Sequence, residues 1–375
     1  MATPGSGGFA DDRYAAARAM FEDNLASGVD VGASFCATVE GVTVVDLWGG
    51  FADEARLRPW EQDTIVNVYS TTKTMTALTA LLVADRGELD FDAPVARYWP
   101  EFAAAGKDQV KVCHLMSHSA GLSGWREPIS AEDLYDWEKV TSLLAAQAPF
   151  WEPGTASGYH AMTHGFLVGE VVRRITGRPV GEVFRAEIAE PLGADFHFGL
   201  PAAQDARVAD MIPPPAGVPF GDDLTDLQAN LANPGHDVSL TRTRAWRAAG
   251  NPSAGGAGNA RSIAEIHTIL ANGGVAAGKR LMSEAGCRKA LQPQVEGRDL
   301  ILGIPLRFGL GFALGGGFMP SPNTLFWGGY GGSLAVIDMD ARATYGYAMN
   351  KMTGTTTGDL RGLSLAMAMW ETPAA

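Results

Sequence analysis

Cysteine, lysine and long apolar runs are all scarce in this 375-residue sequence, and each shortage excludes something. Three cysteines, Cys36, Cys113 and Cys287, are an odd number set far apart. They make neither a disulfide framework nor a metal knuckle, and three reduced, buried thiols are expected. No stretch approaches the roughly 20 uncharged apolar residues that cross a bilayer, so no membrane partner is expected. The opening Met1 to Ala10 has no basic start and no apolar core, which predicts no signal peptide and a cytoplasmic protein. Positive charge is short as well: 29 Lys and Arg against 42 Asp and Glu give a net charge of −13. The charges are scattered, and so acidic a chain is repelled by phosphate backbones, which excludes nucleic acid as the main partner.

What is present is 46% apolar residues, nine Trp, sixteen Phe and 46 Gly, the composition of a cored, turn-rich fold rather than a disordered chain or coiled coil. The length allows one large domain or two lobes sharing a core. Asp11 to Ser27 reads as a helix, followed by strand-like runs Gly32–Glu40 and Val42–Trp48 joined at Glu40-Gly41, where glycine suits a tight hairpin. Thr64 to Tyr69 is strand-like, and from Ser70 the spacing of Met75, Leu78, Leu81 and Leu82 predicts a helix stopped at Gly87. The next stretch reads as helices and long loops, including Met162–Thr176 ended by Gly177 and the Pro213-Pro214-Pro215 segment. Ser262–Ala271 reads as a further helix. Gly309–Leu314, Thr324–Trp327, Ser333–Asp338 and Thr344–Met349 read as short strands, and Gly358–Trp370 as a closing helix. Strands at both ends imply one sheet built from both termini. This predicts an α/β (α+β) architecture with a discontinuous sheet domain, 1–75 and 236–375, and a mainly helical domain, 76–235.

Three segments carry chemistry. Ser70-Thr71-Thr72-Lys73 opens the helix after the strand-like run. A serine there meets unpaired N–H groups and the positive end of the helix dipole. An amine three residues on shares its face and can reach the hydroxyl. Lysine is scarce, seven in the chain, and Ser70–Lys73 is the one S-x-x-K pair. The bland alternative is a helix-capping serine followed by a surface lysine. The second segment, Gly158-Tyr159-His160-Ala161, offers a phenol that could accept the serine proton, or merely a core tyrosine. The third, Phe326 to Ser333, is glycine-dense inside strand-like sequence, which marks either a close approach by other groups or a plain turn.

Several motifs fail on inspection. His160 and His164 have zinc-helix spacing, but Ala161 stands where a general-base Glu belongs, and no metal is expected. Gly273 to Lys279 imitates a phosphate loop, yet Arg280 replaces the Ser or Thr and no strand precedes it. Gly331 to Ala335 resembles a nucleophile elbow without its last glycine. No histidine follows it, since His267 is the last in the chain, so a Ser-His-Asp order is excluded.

Taken in order, the three segments resemble the serine β-lactamase and penicillin-binding-protein superfamily. Asp85-Arg86-Gly87-Glu88-Leu89-Asp90, His114 to Leu122 and Pro191-Leu192-Gly193 are also similar to it, so the likeness runs from about Val31 to Asn350. His114 and His118 look structural in that frame. Two departures mark a subfamily: Ala161 replaces the Asn of Y-x-N, and Trp327-Gly328-Gly329 replaces K-T-G. An uncharged Trp cannot attract a substrate carboxylate. The W-G-G motif with a tyrosine in the second segment resembles the family VIII carboxylesterases.

That resemblance implies an antiparallel sheet flanked by helices, an active site between the two domains and no cofactor. It also implies hydrolysis of small esters through an acyl-enzyme on Ser70. The serine proton would pass to Tyr159, with its acidity raised by charged Lys73, or to Lys73 directly. Tyr69 and Tyr330 are the alternative phenols. Backbone N–H groups of Ser70 and Tyr330 would hold the oxyanion, and Trp327, Gly328, Gly329, Trp125 and Tyr69 would contact substrate. Rival readings on the same scaffold are a β-lactamase, a D-amino-acid peptidase or an acyltransferase, and a catalytically silent binding module is the distant one. A homodimer is compatible with the sequence without being indicated by it.

Overall fold

In the computed structural model, residues 5–214, 225–229, 232–317 and 319–370 are described. Pro215 of the proline stretch lies outside them. The strands are β1 (Ser6–Ala10), β2 (Gly32–Val39), β3 (Val42–Gly50), β4 (Val66–Asn67), β5 (Ala257–Gly258), β6 (Val275–Ala276), β7 (Lys279–Arg280), β8 (Val295–Arg298), β9 (Pro305–Phe308), β10 (Ala313–Leu314), β11 (Thr324–Gly328), β12 (Leu334–Asp338) and β13 (Ala343–Met349). Among the described residues the helices of ten residues or more are α1 (Ala15–Ala26), α2 (Thr72–Asp85), α3 (Trp137–Ala146), α4 (Thr163–Thr176), α5 (Ala260–Ala271) and α6 (Leu360–Trp370).

One sheet of nine antiparallel strands runs in the order β1-β3-β2-β13-β12-β11-β10-β9-β8. The two ends of the chain meet at its centre, where β13 pairs with β2 in a register that sets Gly346 opposite Cys36. The β2–β3 hairpin turns on Glu40 and Gly41, both left-handed with φ of 51° and 81°, as a tight primed turn demands. Helix α5 covers one face of the sheet, its first turn capped by the Asn259 side chain. Helices α1 and α6 pack on the other face, where Trp370 lies edge-on to Tyr345.

Gly346 is what lets α5 sit so close. A Cβ built there would lie 2.3 Å from the Ala260 carbonyl oxygen, a backbone atom that cannot swing aside. Beyond the sheet, α2 is buried on every side from Thr72 to Ala84, its threonines and Lys73 included, as in a helix enclosed by its neighbours. Helix α4 packs against it and ends on the left-handed Gly177. All three cysteines are buried and unpaired. No helix of the described residues is long and apolar enough to cross a membrane.

Two local expectations need correction, and three small elements were not anticipated. Of the strand expected over Thr64–Tyr69, Val66–Asn67 pairs with Ala257–Gly258 and Ile65 makes a single bridge to Val208, because the chain turns at Val68 into the segment bearing Ser70. The strand expected over Gly309–Leu314 shrinks to Ala313–Leu314, since Gly311 takes φ of 89°. Strand β1 and the β8–β9 hairpin had no clear alternation to reveal them; Gly7 and Gly8 instead fit beneath the Trp48 ring. Gly273 to Arg280 forms the small β6–β7 hairpin, turning on left-handed Ala277 and Gly278.

Gly346→Ala should therefore lower unfolding stability by about 1–3 kcal/mol through overpacking of α5 against β13, read as a drop in the urea midpoint. An unchanged midpoint would contradict this account of the contact.

Candidate active site

The chain enters the site through Tyr69, a non-glycine residue held at φ of 43°, a backbone conformation that costs energy and gathers at functional positions. It places Ser70 in the single tight turn Tyr69–Thr71 ahead of α2 rather than in the α-helix itself. Lys73 follows in the first turn of α2 and points back at the serine. Its Nζ lies 2.8 Å from Ser70 Oγ, 2.7 Å from the Ala161 carbonyl oxygen and 2.9 Å from the Ser253 carbonyl oxygen. The Tyr159 hydroxyl lies 2.5 Å from Ser70 Oγ. Ser70, Lys73 and Tyr159 are thus brought together from three separate stretches of chain, and all three are buried.

The protonation of this trio follows from burial. Lys73 is 1% exposed and has no carboxylate beside it, so the charged amine is disfavoured and its pKa falls well below the ordinary lysine value. Burial drives Tyr159 the other way, well above the ordinary phenol value, and the hydrogen bond to Ser70 offsets this only in part. The Trp327 indole N–H leans toward the phenol and also favours its ionisation, yet makes no hydrogen bond of ordinary geometry. Burial thus disfavours the charged form of both groups. Lys73 Nζ sits 5.0 Å from the Tyr159 ring centroid, and burial disfavours the charged amine that would raise the acidity of the phenol.

A neutral Lys73 would also satisfy every donor. Lys73 Nζ donates to Ser70 Oγ and to both carbonyls; deprotonated, it would keep two N–H groups for the carbonyls and turn a lone pair to the Ser70 hydroxyl. The Tyr159 hydroxyl then donates to the other side of Ser70 Oγ. Such an arrangement can draw the proton from Ser70 into Lys73 as the oxygen attacks.

Tyr159 is held from behind by His118. The His118 carbonyl accepts from Gly158 N at 2.9 Å, and its Nδ1 accepts from His160 N at 3.1 Å, bracketing the tyrosine in sequence. Its ring lies edge-on to Tyr159 and parallel to Trp327. Tyr159 N donates to the buried Asp299 Oδ1 at 3.1 Å. His160 donates from Nδ1 to Gly158 O and accepts from Leu122 N at Nε2, which fixes it as a neutral imidazole. Burial pushes its pKa down to about 4.

The glycine-dense third segment is crowded on every side. A Cβ on Gly328 would lie 2.5 Å from the Thr357–Gly358 backbone, and one on Gly329 would lie 2.3 Å from Val68 O and 3.2 Å from Ser70 N. Ser333 Oγ donates to Val68 O at 2.7 Å and bonds Thr71 Oγ1, tying this loop to the turn that bears Ser70. The amides of Ser70 and Tyr330 meet no backbone acceptor among the described residues. Trp327 is buried with Tyr159, Ile301 and Phe308, and Leu302 and Leu306 pack around them.

The other expected contacts divide. Tyr69 and Tyr330 lie edge-on to one another, and the Tyr69 hydroxyl bonds His236 Nε2 at 3.1 Å instead of the serine. Neither is the phenol at Ser70. Trp125 is corrected outright: its ring is buried against Phe166 with its N–H given to Val140 O, leaving no face for a substrate. Ala161 contributes its backbone carbonyl, a service that needs no asparagine side chain. Ser253, Asp299, Ser333 and His118's bracketing role went unread. The signal for Ser253 was the neighbouring Gly255-Gly256, where a Cβ on Gly256 would meet Thr72 Oγ1 at 2.5 Å.

Comparison with known proteins agrees with this geometry. The family model described as Beta-lactamase matches residues 17–366. An esterase/beta-lactamase, LipL, of Mycobacterium tuberculosis is 34% identical over 92% of this chain and 83% of its own length. A solved family VIII carboxylesterase is 43% identical with a TM-score of 0.94, covering 98% of this chain and 100% of that one. A penicillin-binding-protein homologue from Caulobacter crescentus is 37% identical with a TM-score of 0.93, again over 98% and 100%.

The buried histidines set an acid limit. His160 and His267 are both pushed down to about 4 by burial, below the 6.5 they resume on unfolding. The unfolded chain then binds more protons between those values, so stability is full above pH 6.5 and is lost as pH falls toward 4. Each contributes on the order of 3 kcal/mol. The urea midpoint should fall steeply over that window, and His267→Leu should flatten the fall; a midpoint indifferent to pH there would contradict it.

Proposed function

We propose that this chain, which belongs to the beta-lactamase family along most of its length, is a carboxylesterase acting on short- to medium-chain esters of small molecules. The coarser statement is secure: it is a serine hydrolase of the beta-lactamase and esterase type. The observation that carries the finer reading is the convergence of Lys73 Nζ at 2.8 Å and Tyr159 Oη at 2.5 Å on Ser70 Oγ. In this reading Ser70 attacks the ester carbonyl while Lys73 takes its proton. The phenol of Tyr159 carries that proton on to the departing alcohol, and the Ser70 and Tyr330 amides hold the oxyanion. Water then enters and the same relay, reversed, frees the acid and restores Ser70.

Preference for esters over charged substrates is supported by Trp327, an uncharged, buried indole where a lysine would draw a carboxylate. The aliphatic neighbours Ile301, Leu302 and Leu306 suit a hydrocarbon chain. We read Trp327, Gly328, Gly329 and Tyr69 as the substrate wall. The same reading divides the chain into a sheet domain, 1–75 and 236–375, and a mainly helical domain, 76–235. Ser70 and Tyr159 then come from different sides of the cleft.

Ser70→Ala should reduce hydrolysis of p-nitrophenyl butyrate by about 10⁴-fold or more while leaving the near-ultraviolet circular dichroism unchanged. A fluorophosphonate should add its mass to the Ser70 peptide of the unmodified enzyme. Undiminished turnover by the folded variant would end the proposal. Faster turnover of a chromogenic cephalosporin than of the butyrate, or acyl transfer exceeding hydrolysis, would replace the esterase assignment with a rival activity.

Tyr159→Phe should lower kcat by about 10²- to 10⁴-fold with KM little changed. Wild-type kcat in that variant would remove Tyr159 from the relay.

A further inference from the structure

We infer that Arg361 is a positioning residue for the loop that presents the Tyr330 amide to the oxyanion. The inference rests on the hydrolase reading above and names a residue outside the catalytic trio. Gly331 and Gly332, which follow Tyr330, adopt φ of 89° and 136°, so nothing in their own side chains fixes the peptide planes of this turn. The Gly329 carbonyl, in the same peptide plane as the Tyr330 N–H, accepts from Gly332 N at 3.1 Å and Gly358 N at 3.0 Å. The Gly331 carbonyl, further along the turn, is held from α6. Arg361, 9% exposed, donates from Nη2 to the Gly331 carbonyl oxygen at 2.7 Å. A Cβ on Gly332 would lie 2.5 Å from that same nitrogen, so the glycine makes room for the guanidinium.

The guanidinium is itself clamped. Nε and Nη2 both donate to Asp359 Oδ2, at 2.9 and 2.5 Å, while Nη1 donates to Asp30 Oδ1 at 2.8 Å and Lys351 O at 2.9 Å. Tyr347 donates to the same Asp30 oxygen at 2.7 Å. Asp30 opens the approach to β2 and Tyr347 lies on β13, so the fork ties the sheet's centre and α6 to one carbonyl beside the oxyanion donor. The one other bond to that carbonyl among the described residues that is short is Thr353 N, at 3.0 Å. A planar, rigid fork can hold two carboxylates and a carbonyl at once, and a lysine ammonium cannot. Among the described residues the Tyr330 amide meets no protein acceptor, so its aim rests on the bonds that hold the turn, with this side-chain grip added to the backbone ones.

The test is Arg361→Gly assayed with p-nitrophenyl butyrate, with and without about 50 mM guanidinium, far below denaturing concentrations. A misaimed oxyanion donor predicts kcat lower by about 30- to 100-fold with KM within about threefold. Fluorophosphonate labelling of Ser70 should slow by a similar factor, because its P=O group needs the same donors. Guanidinium should restore at least tenfold of the lost kcat, and urea at equal concentration none. Unchanged kcat, or a loss that follows the unfolded fraction and is not restored, overturns the inference. Should Arg361→Gly not fold, Asp359→Asn loosens the fork while keeping the arginine. It should lower kcat by about three- to tenfold at constant KM, and unaltered kcat again overturns the inference. A wild-type chain that neither turns over ester nor labels at Ser70 sinks the hydrolase reading and this inference with it. An active, labelled wild type beside indifferent variants sinks this inference alone.

Discussion

An amine with no counter-ion, enclosed beneath a serine, is the constraint on which the site depends. Lys73 is 1% exposed, and its three hydrogen-bonding neighbours are two backbone carbonyls and the Ser70 hydroxyl. A buried ammonium without a carboxylate partner is costly, and burial drives the Lys73 pKa well below the ordinary lysine value. In the neutral amine the carbonyls of Ala161 and Ser253 would consume both N–H groups and thereby aim the lone pair. Those carbonyls come from the segment after Tyr159 and the loop ahead of β5, so the base is oriented by two stretches far away in sequence. The surrounding histidines, His118, His160 and His164, are likewise pushed toward neutrality, chiefly by burial.

The glycines of the third segment show a second constraint, that of space. Gly328, Gly329, Gly331 and Gly332 each face a different intruder: the Thr357–Gly358 backbone, Val68 O and Ser70 N, Met352, and the Arg361–Asp359 pair. Four close approaches within five residues leave little freedom for the oxyanion loop. Pre-set donors of this kind serve a transition state because they need not reorganise when charge develops.

Much of this was legible in the sequence. The S-x-x-K spacing on a helix start placed Ser70 and Lys73, and glycine density flagged the third segment before its neighbours were known. The hairpin at Glu40-Gly41 and the helix ended by Gly177 followed from turn and capping chemistry that is local, and local rules carry far. What the sequence concealed was of another kind. Trp125 looked like a pocket residue because composition says nothing of which way a ring faces. The expected link between the acidity of Tyr159 and a charged Lys73 leaves out burial, a tertiary property that disfavours the charged amine. Strand β1 escaped because its glycines serve the Trp48 ring rather than a pattern of alternation. Arg361 and Asp30 lie 331 residues apart in the chain, and no local signal joins them.

The most direct measurement is the charge on Lys73 itself. With seven lysines in the chain, ¹³Cε-lysine labelling gives a short set of resonances, and the one that vanishes in Lys73→Met is the one to follow against pH. The account predicts that it already has the shift of a neutral amine at pH values where exposed lysines remain charged. A resonance that keeps the charged shift until the ordinary lysine range near 10.4 would contradict it.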